Sequence, residues 1–396
     1  MAAQIDLRLT MADRQPEAAD VAIIGGGVMG VSIAWHLAAQ GVRRIVVIER
    51  DEFGSGSSAK PLGGVRANFS DPANVVLGQR SLEAFGRFQE DFGFDIGLRR
   101  VGYLFLARTE SEAASLTSST QMQNELGVPS RVVSAAEAAQ LNPYLDPQCL
   151  TLAASSPEDG YARPAKVVEG YVRAAQKLGV TFLNHTEVLG MEHQDGEVTS
   201  IRTNRGTLQV GAAIIASGAW SQQIAAMAGL DMPIEPVRRL IGFTQRMSPS
   251  RPTIPFTLDL GTTFYFHNSD DGLLFGISHR QEPGFTREFS YDWVEELHLA
   301  AGTVAPSLER KEIVGGWAGL YENTPDRNAY IGRSSQVRNV LYATGFSGHG
   351  FLQAPAVGEL VADLYLDRSS FMDPAPFALE RLSSGVPSAP RELHII

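Results

Sequence analysis

The sequence predicts an α/β protein in which a parallel-sheet unit is interleaved with a β-rich α+β unit. Three observations carry that reading. Two continuous apolar runs, Val21-Ala22-Ile23-Ile24 and Ile45-Val46-Val47-Ile48, flank a helical stretch, the pattern of strands buried on both faces of a parallel sheet. Runs of the same kind return at Ala212–Ala216 and Val340–Thr344, so the parallel-sheet material is split between the start, middle and end of the chain. Between them, from about Ile234 to Ile277, Pro and Gly punctuation and alternating aromatics such as Phe264-Tyr265-Phe266 read as β-structure.

Each element follows from local pattern. Val21–Ile24 runs into Gly25-Gly26-Gly27-Val28-Met29-Gly30, and Val31–Gln40 follows as a helix closed by Gly41. Phe53 to Gly64 is rich in Gly and Ser and reads as a loop. Apolar periodicity predicts helices over 74–92, Ser111–Leu126, Pro164–Leu178 and Ala354–Tyr365. Strands are expected at Val101–Ala107 and Val180–Leu183, and as a hairpin, Val188–His193 and Glu197–Thr203, about Gly196. The resulting division assigns 20–80, 150–222 and 328–378 to the nucleotide-type domain and 81–149 and 223–327 to the second, with 1–19 and 383–396 as flexible tails.

Composition narrows the function. A chain of 396 residues allows two or three domains at roughly 100–200 residues each. Thirty-three Lys+Arg against 44 Asp+Glu leave a net charge of −11, which excludes nucleic acid as the main partner. A single cysteine, Cys149, excludes an internal disulfide framework and any site needing several thiolates. No metal site is expected. The glycines within the most apolar window, Val21–Ala39, argue against a transmembrane segment, and the N-terminus lacks the apolar core of a secretory signal. A cytoplasmic protein is expected.

Gly25, Gly27 and Gly30 form G-x-G-x-x-G between a buried strand and a helix. The first permits the tight turn, the second lets backbone approach a pyrophosphate, and the third lets helix and strand pack closely. Glu49 lies nineteen residues beyond Gly30, at a strand end, where an acid accepts hydrogen bonds from a ribose. That is a Rossmann-like dinucleotide site. Glu49 argues against NADP, whose 2′-phosphate it would repel, and leaves NAD and FAD open.

The glycine fingerprint with Glu49-Arg50, then Gly54–Ser58 and Gly63-Gly64-Val65-Arg66, resembles the D-amino-acid oxidase superfamily of flavoproteins. So do Ala216-Ser217-Gly218-Ala219-Trp220, Trp317–Tyr321, Thr324-Pro325-Asp326 and Ala343–Phe351. The likeness spans nearly the whole chain and is greatest to the sarcosine oxidase and dimethylglycine dehydrogenase-like branch. It implies an FAD-binding domain, a substrate domain, and oxidation of an amine or amino-acid C–N bond by hydride transfer to the flavin, giving an imine that hydrolyses. Implied cofactor contacts are Gly25, Gly27, Val28, Met29, Gly30, Glu49, Arg50, Ser57, Ser58, Gly63, Gly64, Val188, Ser217, Gly218 and Trp220. The closing turn adds Gly345, Gly348, His349, Gly350, Phe351 and Leu352.

Substrate contacts are expected from Arg66, Tyr265, Tyr321 and His349, with His279 and Arg280 as weaker candidates. Arg66 suits a carboxylate clamp or a cofactor contact. His349 suits a bond to the flavin ring or a structural one to backbone. Ala318-Gly319-Leu320-Tyr321 has no thiol where monomeric relatives attach the flavin, so the FAD is expected to be non-covalent. Leu352, Leu274 and Tyr321 stand where relatives carry cations. That predicts a bulkier or less anionic substrate, and leaves O2 or a quinone or electron-transfer protein as acceptor. Two further readings follow from the resemblance: a flavoprotein with a binding or assembly role, and a catalytic β-type subunit of a hetero-oligomeric amine dehydrogenase.

Overall fold

The computed structural model describes residues 11–60, 62–247, 252–269, 272–279, 281–382 and 392–394. Its first sheet is built on parallel strands β1 (Ala18–Ile24), β2 (Ile45–Ile48), β8 (Thr181–Leu183), β11 (Gly206–Ile215) and β18 (Val340–Thr344). Their order is β18-β11-β1-β2-β8. Val21 sits opposite Ile45 on one side and Ala212 on the other, so the apolar runs read from sequence are in register. An antiparallel edge strand, β17 (Tyr330–Arg333), closes one side, and the hairpin β9 (Val188–Gln194) and β10 (Glu197–Thr203) extends β11.

Helices α1 (Val28–Ala39), α2 (Pro72–Phe92), α5 (Pro164–Lys177) and α8 (Gly350–Tyr365) form one layer against this sheet. Val31, Leu37, Phe85, Phe88, Val168 and Val357 fill the space between them. Asp71 caps α2 by accepting from the Ala73 N–H at 2.9 Å, Pro72 opens it, and Gly93 at φ 65 ends it. Both α1 and α8 begin one turn earlier than periodicity predicts, at Val28 and Gly350. Pro355 therefore lies inside α8 instead of marking its start.

The second sheet has the order β16-β12-β15-β14-β13-β4-β6-β5. The strands are β4 (Tyr103–Ala107), β5 (Arg131–Ser134), β6 (Leu152–Ser156), β12 (Glu235–Thr244), β13 (Phe256–Asp259), β14 (Tyr265–Ser269), β15 (Gly272–Gly276) and β16 (Ile313–Asn323). Strand alternation splits its residues cleanly between two faces. Leu104, Leu106, Leu240, Phe264, Phe266 and Phe275 pack beneath α7 (Val294–Val304) and Trp293. Tyr103, Phe105, Phe256, Leu258 and Tyr265 form the other face. Helices α3 (Glu110–Glu125), α4 (Ala135–Leu141) and α6 (Ser221–Met227) complete the layers, α3 opening on a Thr109–Glu112 capping box. A two-stranded ribbon, β3 (Gly64–Val65) with β7 (Gly160–Tyr161), bridges the sheets.

Three expectations change. Leu152–Ser156, assigned from sequence to the nucleotide-type domain, pairs with β4 and β5 in the second sheet. Residues 11 and 12, assigned to a flexible tail, are packed: Met11 lies on the helical core and the Ala12 N–H donates to the Phe182 carbonyl at 3.1 Å. Glu392 and His394, assigned to the other tail, are fully buried. Residues 383–391, 395 and 396 lie outside the described residues. No helix among those described is long and apolar enough to cross a membrane, and no cluster of three or more potential ligands there could hold a metal ion.

Candidate active site

A single pocket runs from the C-terminal ends of β1 and β2 to the aromatic face of the second sheet. At its first end, α1 starts on the glycine turn. A Cβ on Gly30 would sit 1.9 Å from the Gly25 carbonyl oxygen, so only glycine lets helix and strand approach this closely. The Val28 N–H donates to Ser58 Oγ at 2.8 Å, and the Ser57 hydroxyl to the Leu320 carbonyl at 2.6 Å. Gly25, Gly27, Val28, Met29, Ser57 and Ser58 all line the pocket here, while Gly30 lies behind it.

Glu49, at the end of β2, accepts from the Gly26 and Asp51 N–H groups at 2.8 and 2.9 Å. Burial raises its carboxyl above the usual range, and those two bonds oppose the rise. Beside it, the guanidinium groups of Arg50 and Arg287 lie 4.7 and 5.4 Å from the Trp220 ring. Val188, Ser217 and Gly218 complete this end of the lining.

At the other end the wall is the second sheet. Arg239 and Ile241 on β12, Tyr265 on β14 and Tyr321 on β16 line this end, and Glu322, the next residue of β16, lines the pocket beside Gly218. Burial pushes both tyrosine hydroxyls upward, so each remains a neutral donor. Gly348, at φ 103, lets the chain pass directly over the Tyr321 ring, which a Cβ there would strike at 2.6 Å. Gly350 and Phe351 line the pocket nearby, whereas Gly345 and Leu352 lie outside its wall.

The sequence reading missed Arg239 and Glu322. Arg239 donates from Nη1 to the Arg238 carbonyl at 3.1 Å, while its buried Nε has no partner. No carboxylate among the described residues pairs with it, and burial lowers its pKa. Its guanidinium lies 5.3 Å from the Tyr321 ring. The chamber therefore has a cation on β12, although Leu274, Tyr321 and Leu352 stand where relatives carry cations. Glu322 accepts from the Phe346 N–H at 3.2 Å and the Thr344 hydroxyl at 3.4 Å, and burial raises its carboxyl to about 7.

Arg66 and His349 belong to a separate buried cluster beside the pocket. Arg66 donates from Nη1 to the Asn68 carbonyl at 3.0 Å and from Nη2 to the His394 carbonyl at 2.6 Å, with its guanidinium 4.0 Å from the Phe69 ring. Burial, then Arg66, lowers the His349 pKa to about 3, so its ring is neutral, and Nε2 has no partner. Gly63 and Gly64 pack on the Ala162 carbonyl and the Tyr103 hydroxyl, between this cluster and the pocket. His279 lies away from the pocket, stacked on Trp293 at 5.9 Å, and Arg280 lies outside the described residues.

This lining suits FAD. Ser58 Oγ holds the place on the α1 N-terminus that a phosphate oxygen would take, and the glycine turn leaves backbone exposed beside it. Glu49 would hold the ribose, and Trp220 with its two arginines would flank the adenine. The chain's one cysteine is not part of the pocket, and its thiol donates to the Asp146 carbonyl.

The family model for FAD dependent oxidoreductases matches residues 20–364. Glycine oxidase of Geobacillus kaustophilus is 31% identical over 91% of this chain and 97% of its own length. FAD-dependent oxidoreductase domain-containing protein 1 of Bos taurus is 31% identical over 93% and 86%. The crystal structure of L-proline dehydrogenase from P. horikoshii superposes with a TM-score of 0.89 at 33% identity, over 94% of this chain and 99% of that one. A matched family spanning most of the chain, and a pocket built for its cofactor, lead to one conclusion: the chain belongs to the FAD dependent oxidoreductase (DAO) family and is an FAD-dependent enzyme.

Proposed function

We propose that the chain oxidises the C–N bond of an amino acid or N-alkylated amino acid to an imine, which water hydrolyses to an oxo acid and an amine. The observation that carries this reading is Arg239, an unpaired cation in the wall opposite the dinucleotide end. A half-buried guanidinium with no carboxylate partner is costly unless an anion arrives, and its planar fork suits a carboxylate. Bound FAD supplies the two-electron acceptor.

The chain's own groups then hold the substrate. Arg239 binds the carboxylate, and the Tyr265 and Tyr321 hydroxyls donate beside it; all three residues line the pocket. The aromatic wall and the Arg239 charge disfavour a protonated amine. Oxidation of carboxylated amines also agrees with the names of the glycine oxidase and proline dehydrogenase relatives.

The test is an anaerobic titration of the flavin-loaded protein with amino acids, N-methyl amino acids and amines lacking a carboxylate. Bleaching of the visible flavin band by carboxylated amines alone is the expected result. Bleaching by none would leave a binding or assembly role, and equal bleaching by simple amines would remove Arg239 from the substrate. Readmitting air then distinguishes O2 from a protein or quinone acceptor.

A further inference from the structure

Strand β15 ends at Gly276, and the chain returns to β12 at Pro283, which bridges Val237 in the antiparallel sense. The Gly284 N–H donates to the Pro236 carbonyl at 2.8 Å. Arg238, the outward neighbour of Arg239, grips the same stretch at both ends. Its Nε donates to Gln281 Oε1 at 2.8 Å, its Nη1 to the Glu288 carbonyl at 3.2 Å, and its Nη2 lies 3.6 Å from the Asp292 carboxylate. One side chain, 15% exposed, thus ties residues 281–289 into a loop fixed at its base.

The tip of that loop reaches across to the nucleotide end of the pocket. Phe285 stacks on Trp220, with ring centroids 5.7 Å apart and planes 23° from parallel. Arg287 lies 5.4 Å from the same ring and 3.7 Å from the Asp51 carboxylate, just past β2. Arg50 lies 3.7 Å from that carboxylate too, so one acid faces two cations. Trp220, Asp51, Arg50 and Arg287 all line the pocket. Phe285 stays 42% exposed and the Arg287–Asp51 pair is open to solvent, so each contact of the tip is weak. A firm base with a lightly held tip is the arrangement of a segment that opens locally while the fold stays intact.

We propose that residues 281–289 are a strap from the second sheet that closes over the adenosine diphosphate half of FAD. Phe285 and Arg287 hold the cofactor end together with Trp220, and Arg238 is a positioning residue that aims them. A ligand seated against Trp220 gives the tip more surface to close on, so the closed strap is favoured in the loaded pocket over the empty one. FAD then leaves only after the tip lifts. The strap acts away from Arg239, Tyr265 and Tyr321, so it is independent of which substrate is oxidised.

The test needs no substrate. Flavin-loaded protein is diluted, and the returning fluorescence of free FAD gives the release rate. In the double variant Phe285→Ala/Arg287→Ala, release should be about tenfold faster, the loss of one aromatic and one cation–π contact. Arg238→Gln should give a similar rise. Adding it to the double variant should speed release no further, because it acts through those two residues. In the wild-type protein, FAD should slow hydrogen exchange at the Phe285 and Arg287 amides about tenfold, and this measurement carries the test if Arg238→Gln does not fold. An unchanged release rate in the double variant, or exchange indifferent to FAD, overturns the proposal. Release that accelerates again in the triple variant overturns the role of Arg238. Double-variant apoprotein that melts below wild-type apoprotein would assign the faster release to folding and overturn the strap as well.

Discussion

Arg239 is adjacent to a second arginine, which is why sequence alone passed over it. The tandem Arg238-Arg239 resembles a charged surface strand until β12 is oriented. Alternation then sends Arg238 outward to Gln281 and Glu288 and Arg239 inward, on the face opposite Leu240. On the proposed function, Arg239→Ala should raise KM for a carboxylated amine about 30- to 100-fold, the loss of one charge-assisted pair. FAD content should stay unchanged, and Arg239→Lys should recover part of the loss. Steady-state kinetics beside flavin-to-protein ratios separate those outcomes. Glu322 gives a different signature. Its carboxyl is raised from 4.5 to about 7 by burial. The folded state therefore binds more protons than the unfolded state between those values, and stability falls as pH rises through that window. Glu322→Gln should flatten this slope by up to about 3 kcal/mol in denaturant titrations across pH 4.5 to 7.5. An unchanged slope would mean that Glu322 ionises as an ordinary surface acid.

At the level of elements, the turn from β1 into α1 was the most legible part, because each glycine answers a local steric demand. Gly30→Ala is expected to yield folded protein with little FAD, since the new Cβ would force the helix off the Gly25 carbonyl. The visible absorbance ratio of the purified variant measures it, and normal flavin content would contradict that account of the turn. Element boundaries were less legible. Pro355 looks like a helix-opening residue, yet α8 starts a full turn earlier because Gly348 and Gly350 fold closely over Tyr321 and Phe346. Leu152–Ser156 is short, apolar and flanked by loops, so nothing local says which sheet it joins. Its pairing with Tyr103–Ala107 on one side and Arg131–Ser134 on the other decides that.

For the whole molecule, interleaving could be read from the scattered apolar strands, but contacts across great sequence distances could not. Arg66 and His394 are 328 residues apart, and no periodicity links them. The pocket spans both sheets, so FAD should stabilise them as one unit. Adding FAD to apoprotein at a hundred times its Kd should contribute about 2.7 kcal/mol to unfolding free energy, with a matching rise in melting temperature. A melting temperature indifferent to FAD would separate the pocket from the fold's stability. Trp220 offers an independent view of the same event. The chain has four tryptophans. Trp293 is enclosed beneath the second sheet, Trp35 packs on Phe92 and Trp317 near Phe243, so Trp220 alone lines the pocket. With the Arg50 and Arg287 guanidinium groups 4.7 and 5.4 Å from its ring at the nucleotide end, it is a built-in optical gauge. Its fluorescence should dim as cofactor fills the pocket, and Trp220→Phe should remove much of that dimming, so occupancy can be followed without any label.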